Sequence, residues 1–365
     1  MSRTPADCGE FFFEVPLSPL LLGGRPIEIW RPDVLGGYQA LIDLSIVIVS
    51  WNTKEYLLPC LTSIYEKGQR MGSEVILVDN GSRDGSGSEV KTVLSSVHVI
   101  QNEENLGFSK AVNQGLQKAS GRYVLLLNPD TQVKHGAIEQ LVSFMEGCPD
   151  AGVAGAQLLN DDGSKQNSIA NFPSLTTELL NKSLLRWLFP KKFPGKERNY
   201  PEPVEVDSVI GACVMVRRTA LEQVGLLDED YFLFLEETDW CYRMKRAGWK
   251  VYHVPQAEVY HFQGKSAGTA RKRARVEFYR SRYHFFKKNR GHFQRFILLT
   301  GLMIRLGVEL VTITLGSLVT LFMIKGWREK LSLYAYLLWW HLRLCPKGMG
   351  LKNGSTKLQI TNKFQ

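Results

Sequence analysis

Segment 228–243 contains the acidic residues whose spacing best suits acid–base catalysis. The segment reads DEDYFLFLEETDWCYR and places Glu236, Glu237 and Asp239 among aromatic and aliphatic side chains. Burial of a carboxylate in apolar surroundings costs free energy, so such a group is usually paired with a positive charge or has a functional role. Desolvation also raises its pKa. Such a group can take a proton from a hydroxyl near neutral pH. The alternative is an ordinary helix N-terminus, where the dipole favours acids and Arg243 pairs with Asp239.

Further polar side chains follow three predicted strands at the point where each strand ends. The three apolar runs, which have the composition of strands buried on both faces, are 44–49, 74–78 and 123–127. The polar residues that follow them are Ser50 with Asn52, Asp79 with Asn80, and Asn128 with Asp130. Ligands of a parallel α/β sheet bind beyond the carboxyl ends of its strands, so these side chains are predicted to form one rim. Ordinary turn chemistry is the alternative at any single strand end.

Two carboxylates of this rim suit different ligands. Asp79 can accept hydrogen bonds from a pyrimidine or a ribose, although the chain has no G-x-G-x-x-G motif and no P-loop. Asp130 suits a hard cation, because Mg²⁺ and Mn²⁺ are commonly held by one or two carboxylates plus substrate phosphates. His261 is a candidate third metal ligand, since imidazole is acceptable to Mn²⁺. A lone histidine is more often a structural residue, so that assignment depends on its neighbours.

The spacing of strands and helices predicts the fold class. A further apolar run at 97–100 and helical segments, the first at about 54–67, alternate with the strands. This alternation predicts an α/β fold with a mostly parallel sheet and right-handed crossover helices. Another strand is expected at 206–218, where Gly211 and Ala212 allow a close backbone approach.

The formal net charge of +9 is carried by one segment. Residues 265–290 contain ten Lys and Arg residues against Glu277 alone, so the rest of the chain sums to zero. Such a patch attracts anionic lipid, phosphorylated substrate or nucleic acid; a solvated helix face is the alternative. No nucleic-acid-reading module accompanies the patch, so no nucleic-acid partner is expected. The six scattered cysteines include no C-x-x-C pair, which argues against a metal knuckle or a disulfide scaffold.

Residues 296–345 are predicted to form a hydrophobic helical appendage. The longest charge-free run, 310–324, is shorter than the about 20 residues that span a bilayer. The run 331–342 has the Tyr and Trp content of an interfacial anchor. Together with the basic segment, these runs predict association with an anionic membrane surface. The alternative is soluble helices that pack on the core or on another subunit.

Eight segments between residues 44 and 268 resemble glycosyltransferase family 2, in family order. They read SIVIVSWNT, VILVDNGSRDGS, NEENLGFSKAVNQG, YVLLLNPDT, DGSKQNSIANFPS, VDSVIGACVMVRR, GLLDEDYFLFLEETDWCYRMKRAGWKVYHVP and AEVYHFQGKS. The ordered set is most similar to the rhamnosyltransferase-like branch. The resemblance implies a GT-A fold, with a Rossmann-like, mostly parallel sheet flanked by helices. It also implies an inverting transferase that uses a nucleoside-diphosphate sugar and a divalent cation, Mg²⁺ or Mn²⁺.

The resemblance also implies roles for matching residues. Ser50, Asn52 and Asp79 would contact the nucleoside, Gly107, Asn113 and Asn128 would complete the donor site, Asp130 and His261 would bind the metal, and Glu237 would be the base, with Glu236 and Asp239 orienting it or the acceptor. The family usually has Glu-Asp where this chain has Glu236-Glu237. The extra methylene moves the base by about a bond length, and a misplacement on the order of 1 Å can cost about 10²-fold in rate.

The function implied by the resemblance is transfer of a sugar, best interpreted as rhamnose from dTDP-rhamnose, in cell-surface polysaccharide synthesis. The acceptor would be a hydroxyl of a glycan or of a polyprenyl-diphosphate-linked molecule, reached at the cytoplasmic face of the cell membrane. A processive synthase is disfavoured because no Q-x-x-R-W signature is present. The alternative is a catalytically silent sugar-nucleotide or lipid-binding protein.

The domain organisation predicted from these features has five parts. They are an irregular extension at 1–42, the GT-A domain at 43–268, a basic helical segment at 269–295, the hydrophobic helical segment at 296–345 and a polar tail at 346–365.

Overall fold

The structure is a computed structural model that describes residues 21–22, 25–26, 42–67, 72–190, 199–262 and 271–351. In the first of two compact units, β1 (Leu21–Leu22) pairs antiparallel with β2 (Arg25–Pro26). Most of the predicted extension at 1–42 and of the tail at 346–365 lies outside the described residues.

In the described part of residues 31–365, a nine-stranded sheet organises the chain. The strands that follow β2 are β3 (Leu44–Ser50), β4 (Ser73–Asp79), β5 (Val97–Gln101), β6 (Tyr123–Leu127), β7 (Thr131–Val133), β8 (Ala151–Leu159), β9 (Ile169–Ala170), β10 (Val204–Glu205), β11 (Ser208–Val209), β12 (Cys213–Arg217) and β13 (Lys250–His261). The sheet has the order β10-β13-β8-β12-β6-β3-β4-β5, with β7 paired to β13, and β9 pairs separately with β11. Strands β5, β4, β3 and β6 are parallel, as predicted, whereas β12 runs antiparallel between β6 and β8.

Helices connect the strands and continue beyond them. Those of the sheet region are α1 (Lys54–Lys67), α2 (Ser86–Val93), α3 (Phe108–Lys118), α4 (Ala137–Gly147), α5 (Leu175–Leu179), α6 (Lys182–Leu188), α7 (Arg218–Val224) and α8 (Glu236–Arg246). The helices that follow are α9 (Arg271–Asn289), α10 (His292–Val319) and α11 (Lys325–Leu342). The first helix has the bounds expected from its apolar spacing.

Alternate residues of β3 pack against opposite layers of helices. Ile46 lies in one core cluster with Leu61 of α1 and Leu141 of α4. Val47 lies in a second cluster with Trp240 of α8. The strand is therefore apolar at successive positions because both of its faces are covered.

The expected strand at 206–218 is interrupted, which corrects the prediction of one continuous strand. Its first part forms β11 and its second part forms β12, while the intervening residues 210–212 turn between the two sheets. A Cβ atom at Gly211 would lie 3.5 Å from Cγ of Glu237. The turn thus brings backbone close to α8, as the small residues at 211 and 212 suggested.

The three C-terminal helices share a hydrophobic cluster that includes Phe285 of α9, Leu302 of α10 and Leu337 of α11. Helix α10 is 28 residues long and includes the pair Arg305 and Glu309, whose Nε and Oε1 atoms are 2.9 Å apart. By length and composition, α10 is apolar enough to cross a membrane. Among the described residues, one helix meets this criterion. The apolar helix is therefore longer than the charge-free run 310–324 predicted. It extends toward the N-terminus past Arg305 and Glu309, whose charges pair with each other.

Candidate active site

The ends of β3, β4 and β5 bring together the first group of predicted site residues. The parallel register pairs Ser50 with Asp79, and Asp79 with Gln101. The buried carboxylate of Asp79 accepts hydrogen bonds from Gln101 Nε2 at 2.9 Å and from the backbone N–H of Ser82 at 3.0 Å. Gln101 was missed by the sequence reasoning, although it ends a strand in the same way as Asp79.

Helix α2 begins directly against this carboxylate. A Cβ atom at Gly87 would lie 2.2 Å from Asp79 Oδ2 and 2.8 Å from Gln101 Oε1. A side chain at position 87 would therefore displace one or both of these groups. The position of Asp79 is therefore defined by α2 as well as by the sheet.

Asn52 holds the loop that leads into α2. Its backbone N–H donates to Ser82 Oγ at 2.9 Å, and its side-chain Oδ1 accepts from the backbone N–H of Arg83 at 2.8 Å. The backbone of Asn52 has φ of 53°, a left-handed conformation that asparagine tolerates. Asn52 therefore joins the loop that follows β3 to the loop that follows β4.

Gly107 directly precedes α3, and Asn113 lies within that helix. Gly107 has φ of +93°, and a Cβ atom there would lie 2.7 Å from the ring of Phe232. The buried amide of Asn113 donates to the Leu227 carbonyl at 2.9 Å and to Glu229 Oε1 at 3.0 Å. Asn113 thus anchors the chain that leads to the acidic segment.

Asp130 and His261 are brought together by the pairing of β7 with β13. This pairing places Thr131 opposite His261, and the Phe262 N–H donates to the Asp130 carbonyl at 2.8 Å. Nε2 of His261 lies 3.4 Å from Oδ1 of Asp130, and both side chains are buried. Its Nδ1 lies 3.2 Å from Oε1 of Gln166, a residue that no sequence signal singled out.

The two groups fit a divalent cation. Ligands held at about 2.0–2.1 Å around an octahedral ion are separated by about 3 Å, which is close to the spacing between the Asp130 oxygen and the His261 nitrogen. Asp228, Asp230 and His284 form another cluster of ligand atoms. In that cluster Oδ2 of Asp228 already lies 2.6 Å from Lys288 Nζ, which makes the first pair the better candidate.

The catalytic candidates Glu236 and Glu237 form the first turn of α8, and each is only 6% exposed. The preceding residues Phe234 and Leu235 have φ of 72° and 66°, an uncommon backbone conformation for large side chains. Burial raises the pKa of Glu236 well above its ordinary value, and the adjacent charge of Glu237 raises it further. Glu236 therefore holds a proton more tightly than an exposed carboxylate does.

Glu237 and Asn128 approach the same stretch of backbone. The side chain of Glu237 lies against Gly211, and the Asn128 N–H donates to the Ala212 carbonyl at 2.9 Å. Asn128 directly follows β6, next to β3 in the sheet. The turn at 210–212 thus links the base candidate to the strand end that precedes Asp130.

Asp239 has different surroundings from the two glutamates. It is fully buried and accepts hydrogen bonds from Arg243 Nε at 2.9 Å, Lys288 Nζ at 2.8 Å and Asn289 Nδ2 at 2.9 Å. The pairing with Arg243 was expected for a helix N-terminus, whereas the two partners from α9 were not. These contacts suit Asp239 to orient α8 through its neighbours.

The chain is similar to known glycosyltransferases. The model of the family "Glycosyl transferase family 2" matches residues 45–225. The chain is 31% identical over 240 residues to an N-acetylglucosaminyl-diphospho-decaprenol L-rhamnosyltransferase of Mycobacterium tuberculosis, covering 62% of this chain and 78% of the relative. It is 25% identical over 221 residues to the dTDP-rhamnosyl transferase RfbF of Shigella flexneri, covering 60% of this chain and 68% of the relative.

A solved structure has a similar fold. It is a mannosyltransferase from Pyrobaculum calidifontis in complex with GDP-mannose and Mn²⁺, with a TM-score of 0.51 and 16% identity. The similarity covers 87% of this chain and 90% of that one. The likeness confirms the GT-A fold expected from the sequence.

Proposed function

Since the chain belongs to glycosyl transferase family 2, we propose that it transfers rhamnose from dTDP-rhamnose to a hydroxyl of a lipid-linked or other glycan acceptor, with inversion. The names of two relatives support the sugar and its donor. The observation that carries the proposal is the buried glutamate pair of α8, which lies against the turn joined to Asn128. The product would serve cell-surface polysaccharide synthesis.

Glu237 is the proposed base. It accepts the proton of the acceptor hydroxyl as oxygen attacks the anomeric carbon from the face opposite the leaving diphosphate. Glu236 is buried beside Glu237, and burial together with the charge of Glu237 raises the pKa of Glu236. The single displacement inverts the configuration and needs no covalent nucleophile.

The donor is proposed to lie along the strand ends. Asp79, with Ser50 and Asn52 beside it, accepts hydrogen bonds from the nucleoside. Asn128 and the Gly107 loop line the path to the sugar. Asn113 supports this site indirectly, since its amide holds the Leu227 backbone and Glu229.

Asp130 and His261 are the proposed ligands of a divalent cation, Mg²⁺ or Mn²⁺. When bound, the cation would neutralise charge on the diphosphate that leaves. The burial of both side chains keeps water from the two ligand atoms. The contact with Gln166 orients the imidazole toward Asp130.

The C-terminal helices are proposed to hold the enzyme at the cytoplasmic face of the membrane. Exposed apolar side chains recur along α10, among them Ile304, Val308, Val311 and Leu315. Residues 43–268 would then form the catalytic domain, with the basic segment 269–295 between it and the apolar helices at 296–345. Anionic headgroups complement the basic segment.

The proposal is tested by comparing Glu237→Gln with Asp130→Ala and with an exposed control, Glu222→Gln. We expect Glu237→Gln to bind dTDP-rhamnose in Mn²⁺ like the wild type and to lose transfer to a lipid-linked acceptor. Asp130→Ala should lose the Mn²⁺-dependent part of donor binding, and Glu222→Gln should change neither. Wild-type turnover by Glu237→Gln would refute the assigned base. Donor binding without transfer or donor hydrolysis by the wild type would favour the catalytically silent binding protein.

A further inference from the structure

Exposed apolar side chains form one stripe along α10. They are spaced by three, four or eight residues, which places them on a single face of the helix. The stripe consists of Phe293, Phe296, Ile304, Val308, Val311 and Leu315, and each of them is more than half exposed. Leu298, Leu302 and Leu306 are buried in the cluster that α10 shares with α9 and α11. The helix therefore packs on protein through one face and presents a different, apolar face at the surface.

Helices α10 and α11 form an antiparallel hairpin. Residues 320–324 connect them, and Leu321 and Phe322 have φ of 47° and 59°, which reverses the chain. Next to this turn, a Cβ atom at Gly316 would overlap the ring of Trp327. The last turn of α10 is thus packed tightly on the first turn of α11, and the connection marks one end of the hairpin.

Helix α9 flanks the hairpin almost as far as this turn. Nη1 of Arg271, the first residue of α9, lies 3.6 Å from Oε2 of Glu329 near the start of α11. Further along the same two helices, Tyr283 Oη and His341 Nε2 are 2.7 Å apart. Helices α9 and α11 therefore run parallel, and α10 runs antiparallel to both of them.

Helix α9 is also fixed to the part of the chain that carries the catalytic candidates. The ring centroids of Phe278 and Phe234 are 5.6 Å apart, and Lys288 Nζ lies 2.8 Å from Oδ2 of Asp239. The two contacts are separated by about 15 Å along the helix axis. Because α10 packs beside α9, it runs along the catalytic domain and not away from it.

A helix held in this way cannot cross a bilayer by itself. Helix α10 also packs on α5 of the sheet region, where a Cβ atom at Gly301 would lie 2.7 Å from Leu179 Cδ2. Insertion of α10 across the hydrocarbon would carry α9 and the adjoining polar surface with it. Charged side chains are costly in the hydrocarbon, so this contact network favours a helix that stays at the membrane surface.

The charges near the turn favour the same arrangement. Lys325, Arg328 and Lys330 are exposed there. If α10 crossed the bilayer, these basic residues would lie on the far side, against the excess of Lys and Arg found in cytoplasmic loops. Arg305, which is 54% exposed near the middle of α10, would meet hydrocarbon. At the surface, all four cations can pair with anionic headgroups.

We propose that α10 lies along the surface of an anionic bilayer, with its apolar stripe immersed and the turn at 320–324 on the cytoplasmic side. The inference rests on the membrane association proposed above and specifies its geometry. The catalytic domain is then held against the bilayer along the whole length of α10. Its active site stays at a constant height above the headgroups, which suits an acceptor that is itself anchored in lipid.

The first test moves one glutamate along the stripe. Full-length Phe293→Glu, Ile304→Glu and Leu315→Glu are compared by flotation with liposomes of phosphatidylethanolamine and phosphatidylglycerol. We expect each substitution to weaken binding at least about tenfold, because an immersed stripe contacts lipid near both ends and at its middle. Thr92→Glu adds the same charge at an exposed site of α2 and should bind like the wild type. Phosphatidylcholine liposomes should bind the wild type more weakly.

A different profile would overturn the proposal. In a spanning helix a charge is most costly at the bilayer centre, so an effect confined to Ile304→Glu would indicate that α10 crosses the membrane. Equal binding to phosphatidylcholine would remove the anionic headgroups from the site. A wild-type protein that ignores liposomes but forms a dimer, which Ile304→Glu dissociates, would assign the stripe to a second copy of the chain.

The second test locates the turn. Arg328→Cys in sealed membrane vesicles from expressing bacteria is treated with a membrane-impermeant maleimide, and the wild type gives the signal of the native cysteines. We expect labelling in inside-out vesicles and not in right-side-out vesicles. Thr92→Cys, on the catalytic domain, should behave identically and reports the orientation of the vesicles. Labelling of Arg328→Cys from the outer face, or only after detergent, would overturn the proposal. Neither test uses sugar transfer, so a failed transfer assay would count against the proposed function alone.

Discussion

Nζ of Lys288 lies 2.8 Å from Oδ2 of Asp239 and thereby joins α9 to the helix that begins with the catalytic candidates. Asp239 is fully buried, and its other oxygen accepts from Asn289 Nδ2 at 2.9 Å. Glu236 and Asp239, with the two residues between them, form the first turn of α8. The position of the acids in the candidate active site therefore depends on a contact made by the basic segment.

Lys288→Met should lower both stability and turnover. Loss of one charged partner of a buried carboxylate costs about 1–3 kcal/mol, and a small shift of α8 displaces Glu237. We expect kcat to fall at least about tenfold, with the donor KM unchanged. Lys287→Met is the matched control, because Lys287 is the exposed neighbour on the same helix. Equal effects of the two substitutions in thermal unfolding and steady-state kinetics would contradict the prediction.

Glu236→Gln should stabilise the protein at neutral pH. The folded state raises the pKa of Glu236, so the folded protein binds more protons than the unfolded chain above about pH 4.5. Stability therefore falls as pH rises from that value through the folded pKa, and the glutamine variant lacks this loss. We expect a gain in the free energy of unfolding at pH 7 and little difference at pH 4. Unfolding curves across this pH range, with no gain at pH 7, would contradict the raised pKa.

Gly87→Ala should weaken donor binding without involving the cation. The new methyl group would displace the Asp79 carboxylate, whose Oδ2 lies 2.2 Å from the position of that Cβ atom. Affinity for dTDP in EDTA should fall, by about tenfold if one charged hydrogen bond is lost. Gly147→Ala is the control, since no described atom lies within 4 Å of a Cβ atom there. Unchanged dTDP affinity in Gly87→Ala would remove Asp79 from the nucleoside site.

Val311→Glu should release the protein from membranes. Val311 is 59% exposed on α10, and a charge at the centre of a helix in a bilayer costs about 2.5–3.5 kcal/mol. We expect a larger soluble fraction after sedimentation of membranes prepared without detergent. Thr92→Glu, which adds the same charge at an exposed site of α2, should sediment like the wild type. Identical sedimentation of both variants would argue that α10 contacts protein and not lipid.

The strand-end rule singled out more of the candidate site than any single motif. It predicted Ser50, Asp79 and Asp130 as site residues, because side chains that follow parallel strands share one edge of a sheet. It also applied to Gln101, which was overlooked. Gln166 could not be identified in this way, because it reaches His261 from a loop with no periodic pattern.

The sequence by itself determined the alternating strands and helices, the carboxylates at the strand ends and the apolar C-terminal helices. These features follow from local composition and period, since burial on both faces requires apolar residues at successive strand positions. Only the tertiary structure decided the electrostatic surroundings of each acid. Asp239 is neutralised by Arg243 and Lys288, whereas the charge of Glu237 raises the pKa of Glu236. Three neighbouring acids of one helix turn differ in this way because their surroundings come from α9 and from the turn at 210–212, which are distant in the chain.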